Sequence, residues 1–325
     1  MSTTITLPEL YRPIDAPLRG VRAEVEQLWR DALSLVGLTE SLSIPLGGKM
    51  LRPALCLLAA GAIGGKDLRR YVRLATAFEA LHIASLAHDD VIDRALLRRG
   101  VSSLTGLWDN HAAILGGDYL VARSVEILAE YDSCTVIANA ITSVRRMAEG
   151  ELFFFGRENE PIREADCIML AEQKTASLFA EACSAPAYVI DRTHRDALRA
   201  YGTALGIAFQ IVDDLIDITQ TAEQTGKPSC GDLIEGKKTI PIMYLKQTVS
   251  PADLKRIEAM RHGDVDDEER AWVVGLALDC GVPQQTETLL RKFADEAISA
   301  LSPLPDSEFR RSMEGMVEFV LVRAY

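Results

Sequence analysis

The chain has no CxxC pair, no apolar run long enough to cross a bilayer, no excess of positive charge and few aromatic side chains. Each shortage removes a class of function. The six cysteines (Cys56, Cys134, Cys167, Cys183, Cys230 and Cys280) are scattered, which fits free thiols in a reducing cytosol better than a zinc site or a disulfide framework. The longest apolar stretch, 54–65, is too short for a membrane span and is broken by glycines. No charged segment followed by an apolar one opens the chain, so the expectation is a cytoplasmic protein without signal peptide or membrane anchor. A formal charge of −12 argues against nucleic acid or an anionic membrane as the main partner. An anionic substrate fits that charge only where metal ions and a local basic cluster reverse the field.

The 325 residues are 48% hydrophobic, enough for a large core. Apolar residues recur at spacings of three and four almost throughout, and no convincing alternating strand stands out, so the chain reads as all-α. Helices are expected near 18–37, 50–64, 67–93, 106–131, 134–157, 163–187, 191–220, 237–248, 251–262, 267–280, 284–301 and 306–323. No linker rich in Pro, Ser or Gly divides the chain, and one domain over 1–325 is expected.

Two copies of one pattern dominate the sequence: Asp89-Asp90-Val91-Ile92-Asp93 and Asp213-Asp214-Leu215-Ile216-Asp217. Each ends a long apolar stretch. A helix turns by about 100° per residue, so the first and fifth residues of each copy lie roughly 40° apart on one face. Asp89 with Asp93, and Asp213 with Asp217, therefore look the same way from the rim of a buried face. Apposed carboxylates in that position need counter-charge. An oxygen-only set suits a hard cation, Mg²⁺ above all, which takes a few carboxylates together with waters and substrate phosphates. A single DDxxD is also what a solvated acidic turn looks like. Two copies behind apolar runs, both accompanied by basic residues, point to a diphosphate held through metal. Helices that run away and return between the copies let both reach one end of a central cavity.

The stretches GGKMLRP (47–53), HIASLAHDDVIDRALLRRG (82–100), GGDYL (116–120), KTASL (174–178), FQIVDDLID (209–217), TGKP (225–228) and GDLIEGKKTIP (231–241) together resemble the trans-prenyltransferases, or polyprenyl diphosphate synthases. The resemblance covers Gly47 to about Tyr244. It implies a bundle of long helices around a deep central cavity (the isoprenoid synthase fold), a homodimer, and Mg²⁺ as cofactor at about three ions per site. It also implies two ligands. Lys49, Arg52, His82 and Arg99 would take isopentenyl diphosphate, without metal. Arg98, Lys174, Lys227 and Lys237 would complete the cage for a metal-bound allylic diphosphate. Thr175 and Gln210 match family positions near the reacting carbons. Arg69, Arg70, Arg145, Arg146, Arg310 and Arg311 are read as solvated surface charges.

The cage would stabilise diphosphate as it leaves, so the allylic C–O bond ionises and the double bond of isopentenyl diphosphate attacks the cation. No protein nucleophile is needed. Counting back from Asp89 by helical turns gives Ser85, Ala84, Leu81 and Phe78 as residues that would set product length. Ala-Ser stands where short-chain members carry a bulky aromatic, and the motif lacks the insertion of many bacterial short-chain enzymes. A medium-to-long all-trans product is expected, with Phe78 or Phe153-Phe154-Phe155 as the cavity floor; plain core packing explains those aromatics equally well. Phe154 replaces a Gln common in the family, and Cys167 a Tyr.

Three rivals stand beside this reading. A farnesyl- or geranylgeranyl-length synthase would differ only in product. A class I terpene synthase would need one DDxxD and no Lys49/Arg52/Arg99 site. A non-catalytic subunit of a heteromeric synthase could have lost its Asp pairs, yet all six motif aspartates are present.

Overall fold

The computed structural model describes residues 5–35, 48–92, 97–98, 101–102, 110–155, 157, 160–161, 163–225, 228–261 and 263–323. The chain folds into helices α1 (Leu7–Tyr11), α2 (Asp15–Ser34), α3 (Leu51–Ala62), α4 (Val72–Ile92), α5 (Asn110–Ala129), α6 (Cys134–Phe154), α7 (Glu164–Ala171), α8 (Ser177–Val189) and α9 (Arg195–Thr219). Short α10 (Ala222–Thr225) and α11 (Gly231–Ile234) follow, then α12 (Ile240–Thr248), α13 (Pro251–Ala259), α14 (Asp267–Asp279), α15 (Val282–Ala300) and α16 (Glu308–Val322).

Several starts are written in the chain. Ser133, Ser250, Asp266 and Ser307 each accept a hydrogen bond from a backbone N–H of the first turn that follows. Thr6 and Glu9 form a reciprocal cap on α1, a helix the apolar periodicity was too short to announce.

Helix α4 is the axis of the fold. Every residue from 74 to 81 is buried, Thr76 and Glu79 included, so the helix is enclosed all round rather than on one stripe. Full burial of Leu74, Phe78 and Leu81 contributes about 1.5–3 kcal/mol each. It packs along α5, while α9 lies between α8 and α15, and α3 against α8 and α16. The buried apolar residues form one cluster reaching from Leu10 to Val320.

The α8–α9 crossing is close because its residues are small. A Cβ at Gly202 would stand 2.7 Å from the Cα of Ala180, and one at Gly206 2.5 Å from the Cα of Ala176. That approach brings Thr175, just before α8, against Gln210 on α9.

The structure departs from the expected helices in ways that have causes. The helix expected over 163–187 is interrupted by a π-turn over Glu172–Ala176. Glu172 is held by Arg146 at 2.7 Å and Lys174 by Glu151, both from α6, so tertiary contacts fix the irregularity. The helix expected from 237 starts at Ile240, with Pro241 in its first turn. A two-residue antiparallel pair, β1 (Leu97–Arg98) with β2 (Val101–Ser102), follows α4, too short for any alternation to reveal. Arg146 is half-buried on Glu172, and Arg310 donates to Glu314 and to the carbonyl of Leu304, so neither is a solvated charge.

Gly206→Val would force the α8–α9 backbones apart. The expected loss is about 1–3 kcal/mol, read by chemical denaturation.

Candidate active site

The first acidic motif closes α4, where Asp89 is half-buried and Asp90 is buried. This helix end is pinned to α5 by His88, whose Nε2 lies 3.2 Å from the carbonyl oxygen of Ile114 and 3.4 Å from an Asp118 carboxylate oxygen. Gly117 makes room, since a Cβ there would sit 2.3 Å from that nitrogen. The GGDYL stretch thus seats the residue that precedes the motif.

The second motif lies near the end of α9. Asp213 accepts a 2.7 Å hydrogen bond from Arg323, which follows α16. Asp214 is buried and accepts from Gln210 at 2.7 Å, and Gln210 in turn accepts from the Thr175 hydroxyl at 2.5 Å. Asp217 accepts the backbone N–H groups of Gly231 (3.2 Å) and Asp232 (3.1 Å), at the start of α11. Lys237 is 2.6 Å from Glu235 and 3.5 Å from Asp232.

Lys174 ties the two ends together. Burial works against its charge, but Asp89 and Glu151 outweigh burial and hold its pKa above the usual value, while the nearby Lys237 pulls the other way. One ammonium therefore feels a carboxylate of the first motif and a lysine of the second motif's surroundings. Burial, then the charge of Asp232, pushes the Asp217 carboxyl up to about 7, and the same two causes raise Asp214 well above the carboxylate range.

These donors fit a hard divalent cation. They are all carboxylate oxygens, and burial, then the charge of Asp232, raises the pKa of two of them, Asp214 and Asp217. Among the described residues, no three His, Cys, Asp or Glu side chains are gathered to hold an ion alone. Such a set suits magnesium, which completes its shell with water and substrate phosphates.

On the basic side, the exposed Lys49 has its Nζ 6.0 Å from the centroid of the Phe319 ring. The Arg52 guanidinium carbon lies 4.8 Å from the Phe179 centroid, Phe179 stands 5.5 Å from Phe209, and Arg323 lies 5.0 Å from Phe209. Two guanidinium groups thus flank one aromatic pair. His82 is half-buried on α4, and its carbonyl accepts from Ser85 at 2.8 Å. Asp93, Arg99, Lys227 and the side chain of Arg98 lie outside the described residues.

Phe78, Leu81 and Ala84 are buried, and Ser85 is half-buried. The Phe153–Phe155 run is no cavity floor. Phe155 is 85% exposed, Phe154 faces the Lys238 ammonium at 5.7 Å, and the run adjoins Glu151, the partner of Lys174. It adjoins the end of the fold where Lys174 lies near the two acidic motifs. Cys167 is buried, and burial, with Asp214 nearby, pushes its thiol up to about 12. A surface cavity of about 970 Å³ lies between α9 and α15, lined by Arg199, Thr203, Ile207, Lys292 and Glu296, none of them a motif residue.

Arg323, Glu151, Asp232 and Lys238 belong to this region without having been singled out. Glu151 and Asp232 stand inside or beside quoted stretches. Lys238 looks in sequence like its neighbour Lys237, yet it is buried, and its ammonium donates to the carbonyls of Arg157 and Glu160. Arg323 carries no sequence signal.

The family described as Polyprenyl synthetase matches residues 38–276. The chain belongs to the polyprenyl synthetase family. It is 32% identical to the all-trans-nonaprenyl-diphosphate synthase (geranyl-diphosphate specific) of Rhodobacter capsulatus, over 97% of this chain and 98% of that protein. It is 33% identical to heptaprenyl diphosphate synthase component 2 of Geobacillus stearothermophilus, over 98% and 99%. Its fold matches the polyprenyl synthase of Caulobacter crescentus CB15 complexed with calcium and isoprenyl diphosphate, with a TM-score of 0.85, 29% identity and 99% of each chain covered. As a polyprenyl synthetase the chain is a prenyltransferase with the all-α isoprenoid synthase fold.

The raised Asp217 pKa sets a pH dependence. Unfolded, this carboxyl loses its proton near 3.8; folded, it keeps it to about 7. Between those values the unfolded chain releases the proton first, so stability without divalent cation should fall as pH rises and stay low above 7. Added Mg²⁺ should recover it. Melting temperatures with and without Mg²⁺ from pH 4 to 8 check this, and a cation-free melting temperature that rises across that range contradicts it.

Proposed function

We propose that this prenyltransferase builds a medium-to-long all-trans polyprenyl diphosphate by repeated head-to-tail addition of isopentenyl diphosphate to an allylic diphosphate. The convergence of Asp89, Lys174, Lys237 and the Asp213–Asp217 helix end carries the reading, because it offers one polyanion both acidic and basic partners. Product length is supported by the nonaprenyl and heptaprenyl synthases among the relatives.

Asp89, Asp93, Asp213 and Asp217 would hold magnesium. The chemistry that magnesium supplies when bound is neutralisation of the diphosphate's charge. Lys174, Lys227, Lys237 and Arg98 grip the leaving diphosphate, which departs with the electron pair of the allylic C–O bond. Thr175 and Gln210 turn oxygen dipoles toward the allylic cation. Lys49, Arg52, His82 and Arg99 hold isopentenyl diphosphate, whose double bond attacks; the proton then lost goes to the departed diphosphate. Arg323 neutralises Asp213, and its second terminal nitrogen, buried without an acceptor among the described residues, is a ready donor to an anionic oxygen.

The exposed Ile114 and Leu115 on α5 and Ile141 and Leu152 on α6 support pairing with a second copy. The six free cysteines support a reducing cytoplasm. Among the described residues no helix is long and apolar enough to cross a membrane.

The purified chain alone, with Mg²⁺, an allylic diphosphate and isopentenyl diphosphate, should release prenyl diphosphates longer than geranylgeranyl, with sedimentation of the same sample giving a dimer. Ala84→Phe should shorten the products, as mass spectrometry would read. Turnover without isopentenyl diphosphate would indicate a terpene synthase, and no turnover a partner-dependent subunit. An unchanged product distribution in Ala84→Phe would contradict the length geometry.

A further inference from the structure

Tyr11 ends α1, and its hydroxyl donates a 2.7 Å hydrogen bond to the carbonyl oxygen of Lys49. The bond meets the chain at a conformationally demanding place. Met50, the next residue, sits at φ 53° and ψ 38°, in the left-handed region that side chains seldom adopt, and is 2% exposed. This residue is the N-cap of α3, whose first turn carries Arg52. A strained turn beside a charged ligand-binding pair persists only where its surroundings hold it.

The surroundings do so from both ends of the chain. Leu10 lies so close to α16 that a Cβ at Gly315 would stand 2.4 Å from its side chain, so α1 is seated on the last helix. Helix α16 also presents Phe319, with Lys49 Nζ 6.0 Å from the ring centroid. The Lys49 backbone is thus tied to α1 while its ammonium lies over α16. Burial, then the charge of Glu79, raises the Tyr11 phenol far above its ordinary value, so it stays a donor throughout the working pH range. Tyr11 lies outside the segment that the family match covers.

We infer that Tyr11 is a positioning residue for the second substrate: its hydroxyl holds the strained Lys49–Met50 turn so that Lys49 and Arg52 face the metal-free diphosphate. The inference rests on the assignment of Lys49 and Arg52 under the proposed function. It gives the N-terminal helix a task in binding isopentenyl diphosphate and none in binding the allylic partner.

Steady-state kinetics of Tyr11→Phe test it. Loss of one neutral hydrogen bond should raise KM for isopentenyl diphosphate about fivefold, leaving kcat and KM for the allylic diphosphate unchanged. In a Lys49→Ala background the same change should add less, because Tyr11 acts partly through Lys49 and only the share carried by Arg52 remains. Hydrogen exchange at the Lys49 and Met50 amides should quicken in Tyr11→Phe without a change in global stability. Equal rises in both KM values, full additivity with Lys49→Ala, or no kinetic effect would overturn the inference alone. If Lys49→Ala itself leaves KM for isopentenyl diphosphate unchanged, the Lys49 assignment fails and takes the inference with it.

Discussion

Asp214 and Asp217 share one corner of the fold with Asp213 and Asp232, where burial and the neighbouring carboxylates disfavour the ionised forms of Asp214 and Asp217. Much of the surrounding chain supplies compensation. Arg323 crosses from the end of the chain to Asp213, the α11 amides meet Asp217, and Lys237 stands by Asp232. None of these is enough, since Asp217 still titrates near 7. A corner of carboxylates in that state suits a hard divalent cation.

The same constraint explains why the architecture is rigid just where it is irregular. Lys174 must reach toward Asp89 and Lys237 from a helix whose neighbours are packed against α9 through Ala176, Ala180, Gly202 and Gly206. A regular helix gives one fixed direction per residue. The π-turn over Glu172–Ala176 changes that direction, and Arg146 and Glu151 lock it from α6. Local geometry at the site is thus set by side chains of a neighbouring helix.

How much of this could be read from the residues follows the range of the interaction. The Asp pairs were legible because four-residue spacing on a helix is a local rule, and so were the long apolar stretches that became α4, α8 and α9. Lys174, Thr175 and Gln210 were found by motif, and the structure adds that a hydroxyl–amide–carboxylate chain joins Thr175 to Asp214. The π-turn was invisible because α6 imposes it. Arg323 was missed because its partner lies 110 residues away. Arg146 and Arg310 looked like surface charges because sequence records charge and not burial. The aromatic run at Phe153–Phe155 reads in sequence as a cavity floor or as plain core packing, yet Phe155 is exposed and the helix ends beside Lys174, a matter of direction that composition does not encode.

The central claim is that the two acidic helix ends form one site. Calorimetric titration of Mg²⁺ with inorganic diphosphate into the chain, with Asp89→Asn, Asp213→Asn and the double variant, tests it most directly. One shared site predicts that either single change weakens binding nearly as much as both together. Losses that simply add would mean two independent sites and would contradict the account.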